Sequence, residues 1–380
     1  MRRSLLVASI SLLGLVPRVS AQQHNEDFIP IQVFQPPVNY FSAGFNTTGR
    51  LKATFKNLGT IVTTHDIGDA TSEYTRGYDD GAVSKDARKT DNSEDLPDDG
   101  RTNTWSFLYA SQVTADQRAI AFHSYSTKSE GATANADGTS SLGVDLEYAR
   151  RLRSYGKYTF GQEPPLSWGI LVGIVTSGAT AKTNADITAR LDTITDVYSL
   201  LGATPPSPGY SAPSSSTSGI PVDTTTLLAN RPTRSSSNVS GAAKIKGFWQ
   251  VRGAYYTFRA GAWVRWQPKN RYAFKFSAGP TVTWLGAHLR YSEQLQATAS
   301  GIEASGLIEA TGETTDKNYA IPGAFGSVDA EWWVTRRTAL FVSGTYDVYS
   351  REVNIAAGER SADVKLSSGA GLRIGVTTRF

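Results

Sequence analysis

Four histidines, His24, His65, His123 and His288, and no cysteine leave this chain few residues suited to catalysis. Nucleophilic chemistry of the Ser–His kind needs both side chains on one face, within hydrogen-bond reach. His123 neighbours Ser124 and Ser126, but both lie at odd offsets, which in a strand puts the hydroxyls on the opposite face. His65-Asp66 and Asp79-Asp80 place carboxylates and an imidazole in one acidic stretch, where a solvated loop is the plainer reading. Asp91, Glu94, Asp95, Asp98 and Asp99 offer oxygens to Ca²⁺ but lack the spaced loop with its central glycine. A phosphate-binding glycine loop and a basic-aromatic stripe for nucleic acid are both missing. The expectation is therefore no enzyme, with no catalytic, cofactor-binding or metal residues and no cofactor.

A second set of charged residues is more informative, because its members recur on alternate positions. Arg190, Asp192, Asp196, Arg259, Arg265, Lys275, Asp329, Glu331, Asp347, Arg373 and Arg379 each oppose apolar neighbours, as do Asp145 and Glu147. Period-two segments of about ten residues with one apolar and one charged face suit strands that divide lipid from a polar interior. Neither sign dominates. Such a lining could hydrate and tune a pore, or its cross-strand ion pairs could fill and brace a narrow barrel.

Candidate strands fall at residues 49–57, 104–113, 117–127, 141–152, 166–177 and 186–199. The clearest alternation follows. Tyr256, Phe258, Ala260, Ala262, Val264 and Trp266 share a face, and a short turn at 267–270 leads to Tyr272, Phe274, Phe276, Ala278, Val282 and Trp284. Val328, Ala330, Trp332 and Val334 lead through Thr335-Arg336-Arg337 to Leu340, Val342, Tyr346 and Val348. Aromatics gather beside both short turns, where an interfacial girdle would sit. With the terminal strand these make eleven; a further one at 242–251 gives an even twelve, with ten or fourteen the alternatives.

That terminal strand, KLSSGAGLRIGVTTRF, sets Leu372, Ile374, Val376, Thr378 and Phe380 on one face and Arg373 and Arg379 on the other. It resembles the terminal assembly signal of bacterial outer-membrane β-barrels, with Ile374, Val376 and Phe380 as its matching residues. Tyr78-Asp79-Asp80-Gly81, followed by Thr104-Trp105 and Ser111-Gln112, is similar to a motif of poorly characterised outer-membrane barrel families. The Asp/His pairs named above are also similar to those of surface barrel proteases. The resemblance implies an all-β, antiparallel up-and-down transmembrane barrel with short periplasmic turns and long outer loops. It further implies an outer-membrane location, with outer-membrane lipids and the barrel-assembly machinery as partners.

Residues 1–21 read as a secretory signal peptide: Arg2 and Arg3, an apolar Ser4–Val16, and Val19-Ser20-Ala21 as cleavage site. A core of thirteen residues is too short to span a bilayer as a helix. Residues 22–40 read as a periplasmic lead-in and 41–380 as the barrel. Within it, 59–103 is an acidic outer loop with eleven acids against five basic residues, and 201–246 a Pro/Ser-rich loop region. Without the signal the chain carries 35 basic and 34 acidic residues, so charge gives no argument for nucleic acid as partner. Oligomeric state is left open. The functional expectation is a porin-like passive channel for small solutes. The alternative is a barrel with a closed lumen whose long outer loops contact partners.

Overall fold

A strand with one apolar and one polar face is stable only where those faces meet different environments. In the computed structural model, which describes residues 38–48, 50–89, 94–95, 97–139, 141–156, 164–212, 226–298, 308–315 and 317–380, eight such strands close into one ring. They are β1 (Asn39–Thr48), β2 (Ser141–Tyr155), β3 (Leu166–Ser199), β4 (Thr233–Lys269), β5 (Tyr272–Thr298), β6 (Lys317–Trp333), β7 (Thr338–Tyr349) and β8 (Gly369–Arg379). Each pairs antiparallel with the next, and β8 pairs back onto β1, so the ring has no open edge. Outward lie Phe45, Val144, Ile170, Phe258, Phe276, Val328, Val342 and Ile374, all exposed, while Asp145, Arg259, Lys275 and Arg373 are buried within. An apolar exterior around a polar interior, with every ladder closed, is what a bilayer demands of strands. The chain is an all-β, up-and-down transmembrane barrel, as its alternation led one to expect.

The described ring has eight strands where the sequence pattern led to twelve, because some strands reverse their polarity without ending. Segments 166–177 and 186–199 are two halves of the 34-residue β3. Likewise 242–251 and 256–266 belong to the 37-residue β4. In the lower half of β4 the outward residues are Tyr256, Phe258 and Val264; above them Arg252, Lys246 and Lys244 face out, and Val251, Trp249 and Ile245 are buried. The pairing register runs through this inversion unbroken, from Trp266 to Ala243 against β3. Residues 49–57, 104–113 and 117–127 supply no strand of the ring. β1 falls instead partly in the supposed lead-in; residues 22–37 of that lead-in, like the signal peptide, lie outside the described part of the chain.

Beyond the apolar belt the wall continues mainly as β3, β4 and β5. A four-stranded sheet faces them, ordered Val353–Ala357, Arg360–Leu366, Leu51–Lys56 and Ala134–Asp137. Between them lies an ordinary apolar core that includes Phe55, Trp249, Val251, Leu285, Leu289, Ile355 and Val364. Phe55 and Trp249 pack with ring centroids 6.5 Å apart.

The acidic 59–103 segment is no plain loop. Arg76–Tyr78, Gly81–Val83 and Trp105–Phe107 form a small sheet. Its Tyr78, Val83, Trp105 and Phe107 pack on Phe122 and Tyr198. Phe122 belongs to the strand Ala119–Lys128, which pairs with the outer part of β3. Nor is 201–246 a Pro/Ser-rich loop throughout, as composition led one to expect: from Thr233 onward it is β4, whose Ser-rich start pairs with residues 191–197 of β3. That start is exposed on both faces, so it carries no period for the eye to find. Similarly, the polar 288–319 segment holds the upper half of β5, the strand Glu309–Glu313 paired to it, and the start of β6.

Candidate functional site

Inside the belt, six strands each supply one or two charges at inward positions. β2 brings Asp145 and Glu147, β4 Arg259 and Arg265, β5 Lys275, β6 Asp329 and Glu331; Asp347 and Arg373 follow from β7 and β8. They meet in the bore. Arg373 lies 2.7 Å from Asp145, whose other oxygen is 3.3 Å from Arg259, and Arg259 continues to Asp347 at 3.0 Å. Lys275 bridges Glu147 at 2.5 Å and Asp329 at 2.8 Å, and Arg265 reaches Glu331 at 2.7 Å. Rings lie against the guanidiniums: Phe325 by Arg259, Tyr40 and Trp333 by Arg265, Phe341 by Arg373.

The layer leaves little room. A cavity lined by Tyr40, Ser42, Arg265, Lys275, Glu331 and Thr377 measures about 10 Å³, roughly one water site. Each ion is desolvated, so the pairs add little net stability over an apolar filling, but removing one partner leaves a buried charge at a cost of about 3–5 kcal/mol. Chemically this arrangement binds its own members; it presents no ring of one sign along an open path.

Of the eleven residues expected in the lumen, Arg259, Arg265, Lys275, Asp329, Glu331, Asp347 and Arg373 form this layer. Arg379 is buried at its lower edge, over the Trp333 ring at 4.2 Å. Arg190 and Asp192 do not line the lumen: they lie on the outer half of β3, paired with each other at 2.8 Å and about a third exposed. The polarity inversion explains the correction, since above the belt the apolar side chains Ala189 and Leu191 turn inward. Asp196 is also above the belt but buried, accepting from Tyr78 Oη at 2.5 Å and from Nε and Nη2 of Arg234 at 2.7 Å each. Ile374, Val376 and Phe380 face outward at 60%, 44% and 61% exposure. Phe380 and Asn39 exchange two backbone hydrogen bonds, which extend the β8–β1 closure to the last residue.

A second cluster was visible only as scattered letters. His123 Nδ1 lies 2.6 Å from Asp80 Oδ2, and the His123 amide donates to Asp80 Oδ1 at 2.8 Å. Asp79 accepts from the Tyr125 amide at 2.6 Å and lies 3.4 Å from His65 Nε2. Burial pushes the Asp79 carboxyl above the usual range, against the pull of the Tyr125 amide. Two carboxylate–imidazole pairs could serve proton transfer, yet both carboxylates are engaged in holding the amides of the Ala119–Lys128 strand. Ser124 Oγ, the nearest hydroxyl in sequence, is buried and makes no hydrogen bond. Arg76 is a further organiser that the sequence did not single out: fully buried, it donates to the carbonyls of Ile67, Asp69, Ser72 and Tyr74.

Ring closure, belt and charged interior together define an integral β-barrel of the outer-membrane type. No protein-family model matches the chain, and no curated protein does. Solved structures similar to it include the outer membrane protease OmpT of Escherichia coli, at 10% identity over 91% of this chain and 98% of that one, TM-score 0.27. The attachment invasion locus protein Ail of Yersinia pestis, solved with a heparin analogue, matches at 8% identity over 90% and 99%, TM-score 0.23. The outer membrane protein OprG of Pseudomonas aeruginosa matches at 12% identity over 89% and 97%, TM-score 0.23.

Proposed function

We propose that this is an outer-membrane barrel with a sealed lumen, a non-catalytic platform that displays a folded cap outside the cell. Of the two expectations from sequence, the closed barrel is therefore preferred to the passive channel. The observation that carries this reading is the bore-filling layer in which Arg373, Asp145, Arg259 and Asp347 are joined in one chain of ion pairs. Above it, the apolar core between β3–β5 and the four-stranded sheet would place a second obstacle to hydrated solutes.

Orientation follows from connection lengths. The turns after β4 and β6 are short and lie at the same end as Asn39 and Phe380, which is the periplasmic end in barrels of this type. The cap then faces outward. Membrane lipids and the assembly machinery are its expected partners in the envelope. Refolded protein in a planar bilayer should show no unitary conductance steps. Steady, solute-sized steps from the unmodified protein would overturn the sealed-lumen reading and restore the channel.

A further inference from the structure

Immediately above the apolar belt, the outward faces of β3, β4 and β5 carry a block of cations set by register. Lys182 of β3 stands beside Gln250 of β4, which stands beside Arg290 of β5. One row lower, Thr180, Arg252 and His288 are neighbours in the same way. Strands in a sheet lie about 4.8 Å apart, so these side chains share a patch two strand spacings wide. Lys182, Arg252 and Arg290 are exposed. The next outward pairs below are Ala254 with Gly286, then Tyr256 with Trp284, aromatic side chains 46% and 48% exposed at the belt's upper edge.

Cations directly beyond interfacial aromatics stand at headgroup depth. Small outward residues between them, Ala254 and Gly286, leave a shallow step under the cations. Glu313 is the register partner of Arg290, so one acid offsets part of the charge. A rival notch of about 840 Å³ at the outer ends of β1 and β8 holds Arg50, Lys52 and Lys365. There, however, Lys52 faces Asp137 at 3.6 Å and Lys365 faces Glu352 at 3.4 Å.

We infer that the patch formed by Lys182, Arg252 and Arg290 is a binding site for the phosphorylated headgroup of an outer-leaflet lipid, its acyl chains lying on Tyr256 and Trp284. The site rests on the barrel's orientation in the membrane, and not on whether the lumen is sealed. Phosphate oxygens would take charge-assisted hydrogen bonds from Lys182, Arg252 and Arg290.

Native mass spectrometry of the detergent-refolded full chain tests it. The probe is a diphosphorylated, multiply acylated glucosamine disaccharide, compared with the same lipid after removal of its phosphates. The unmodified protein should retain the phosphorylated lipid and not the dephosphorylated one. Lys182→Gln/Arg252→Gln/Arg290→Gln should weaken retention about a hundred-fold, taking roughly fivefold per cation near a membrane surface. Arg336→Gln/Arg337→Gln, which removes charge at the opposite end, should leave it within about two-fold on the same scale. Equal retention of the dephosphorylated lipid by the unmodified protein overturns the site without need of any variant. So does undiminished retention by the folded triple variant, displacement by excess inorganic phosphate, or a loss confined to the Arg336/Arg337 pair, which would mean the opposite orientation.

Discussion

Arg373 of β8 and Asp145 of β2 meet at 2.7 Å across the width of β1, the strand that separates them in the ring. Both side chains are almost wholly enclosed, at 1% and 3% exposure. Arg373 also lies 3.5 Å from Glu147 and 3.7 Å from Asp329, so one guanidinium serves three carboxylates.

Replacing it should be costly in proportion. Arg373→Leu leaves those carboxylates with Lys275 and Arg259 alone, and unfolding in urea from lipid vesicles should shift by about 3–5 kcal/mol. Arg373→Lys keeps the charge but not the fork, and should fall between the two. An Arg373→Leu barrel as stable as the unmodified one would mean that the layer fills the bore without bracing it.

The cap has its own keystone in Glu293. Its Oε1 accepts from Trp249 Nε1 at 2.9 Å, and its Oε2 accepts from Arg360 at 2.6 Å and from the Gly59 amide at 3.1 Å. Three elements of the cap thus converge on one fully buried carboxylate of β5. Glu293→Ala strands the Arg360 guanidinium and the indole N–H, at about 3–5 kcal/mol. Limited proteolysis should then cut within 50–60 and 353–366, while the heat-modifiable gel shift of the ring persists. Cleavage no faster than in the unmodified protein would show that apolar packing alone holds the cap.

Legibility followed the membrane. Where a strand faces lipid on one side only, as at Tyr272–Trp284 or Leu372–Phe380, its period and its inward charges could be read directly, and seven of the expected lumen residues lie buried within the ring. Above the belt the solvent lies on the other side, so β3 and β4 keep their period and exchange their faces. Arg190 and Asp192 were misassigned for that reason, and single strands were read as pairs. β1 was missed although Phe41, Ala43 and Phe45 alternate with Ser42, Gly44 and Asn46, because its start sits beside a Pro-rich stretch. The Asp80–His123 contact joins residues 43 apart through an irregular segment, and no local pattern announces such a meeting.

Phe380 separates assembly from stability. Its ring faces outward and its main chain pairs with Asn39, so Phe380→Ala keeps the ring closure and loses only an aromatic surface. The variant refolded in detergent should match the unmodified protein to within about 1–2 kcal/mol, the scale of one partly exposed ring. In cells the yield of heat-modifiable protein in the membrane fraction should drop several-fold. Normal insertion in cells would remove the role assigned to this residue as part of an assembly signal.

Acid should loosen one corner of the cap before the rest. Asp98 accepts from the Gly100 amide at 2.9 Å, from Asn230 at 2.6 Å, and pairs with Arg231 at 2.5 Å, fastening the Arg101–Thr102 strand to Leu228–Ala229. The Gly100 amide first, then Asn230 and Arg231, hold its carboxyl below the ordinary value of 3.8. A carboxyl whose pKa is lower folded than unfolded stabilises above its unfolded value, and that contribution disappears as pH falls through the folded one. The fastening is therefore intact above the ordinary carboxyl value of 3.8 and is lost as pH falls below it through the lower folded value. Cleavage of the 226–232 segment by an acid protease should accelerate over that interval in the unmodified protein. Asp98→Asn, which has no proton to gain, should be cleaved at about pH 5 as fast as the unmodified protein is at low pH once each rate is normalised to the protease's own activity. Were the normalised rates of the unmodified chain flat with pH, or the variant still pH-sensitive to the same degree, another carboxylate would govern this corner.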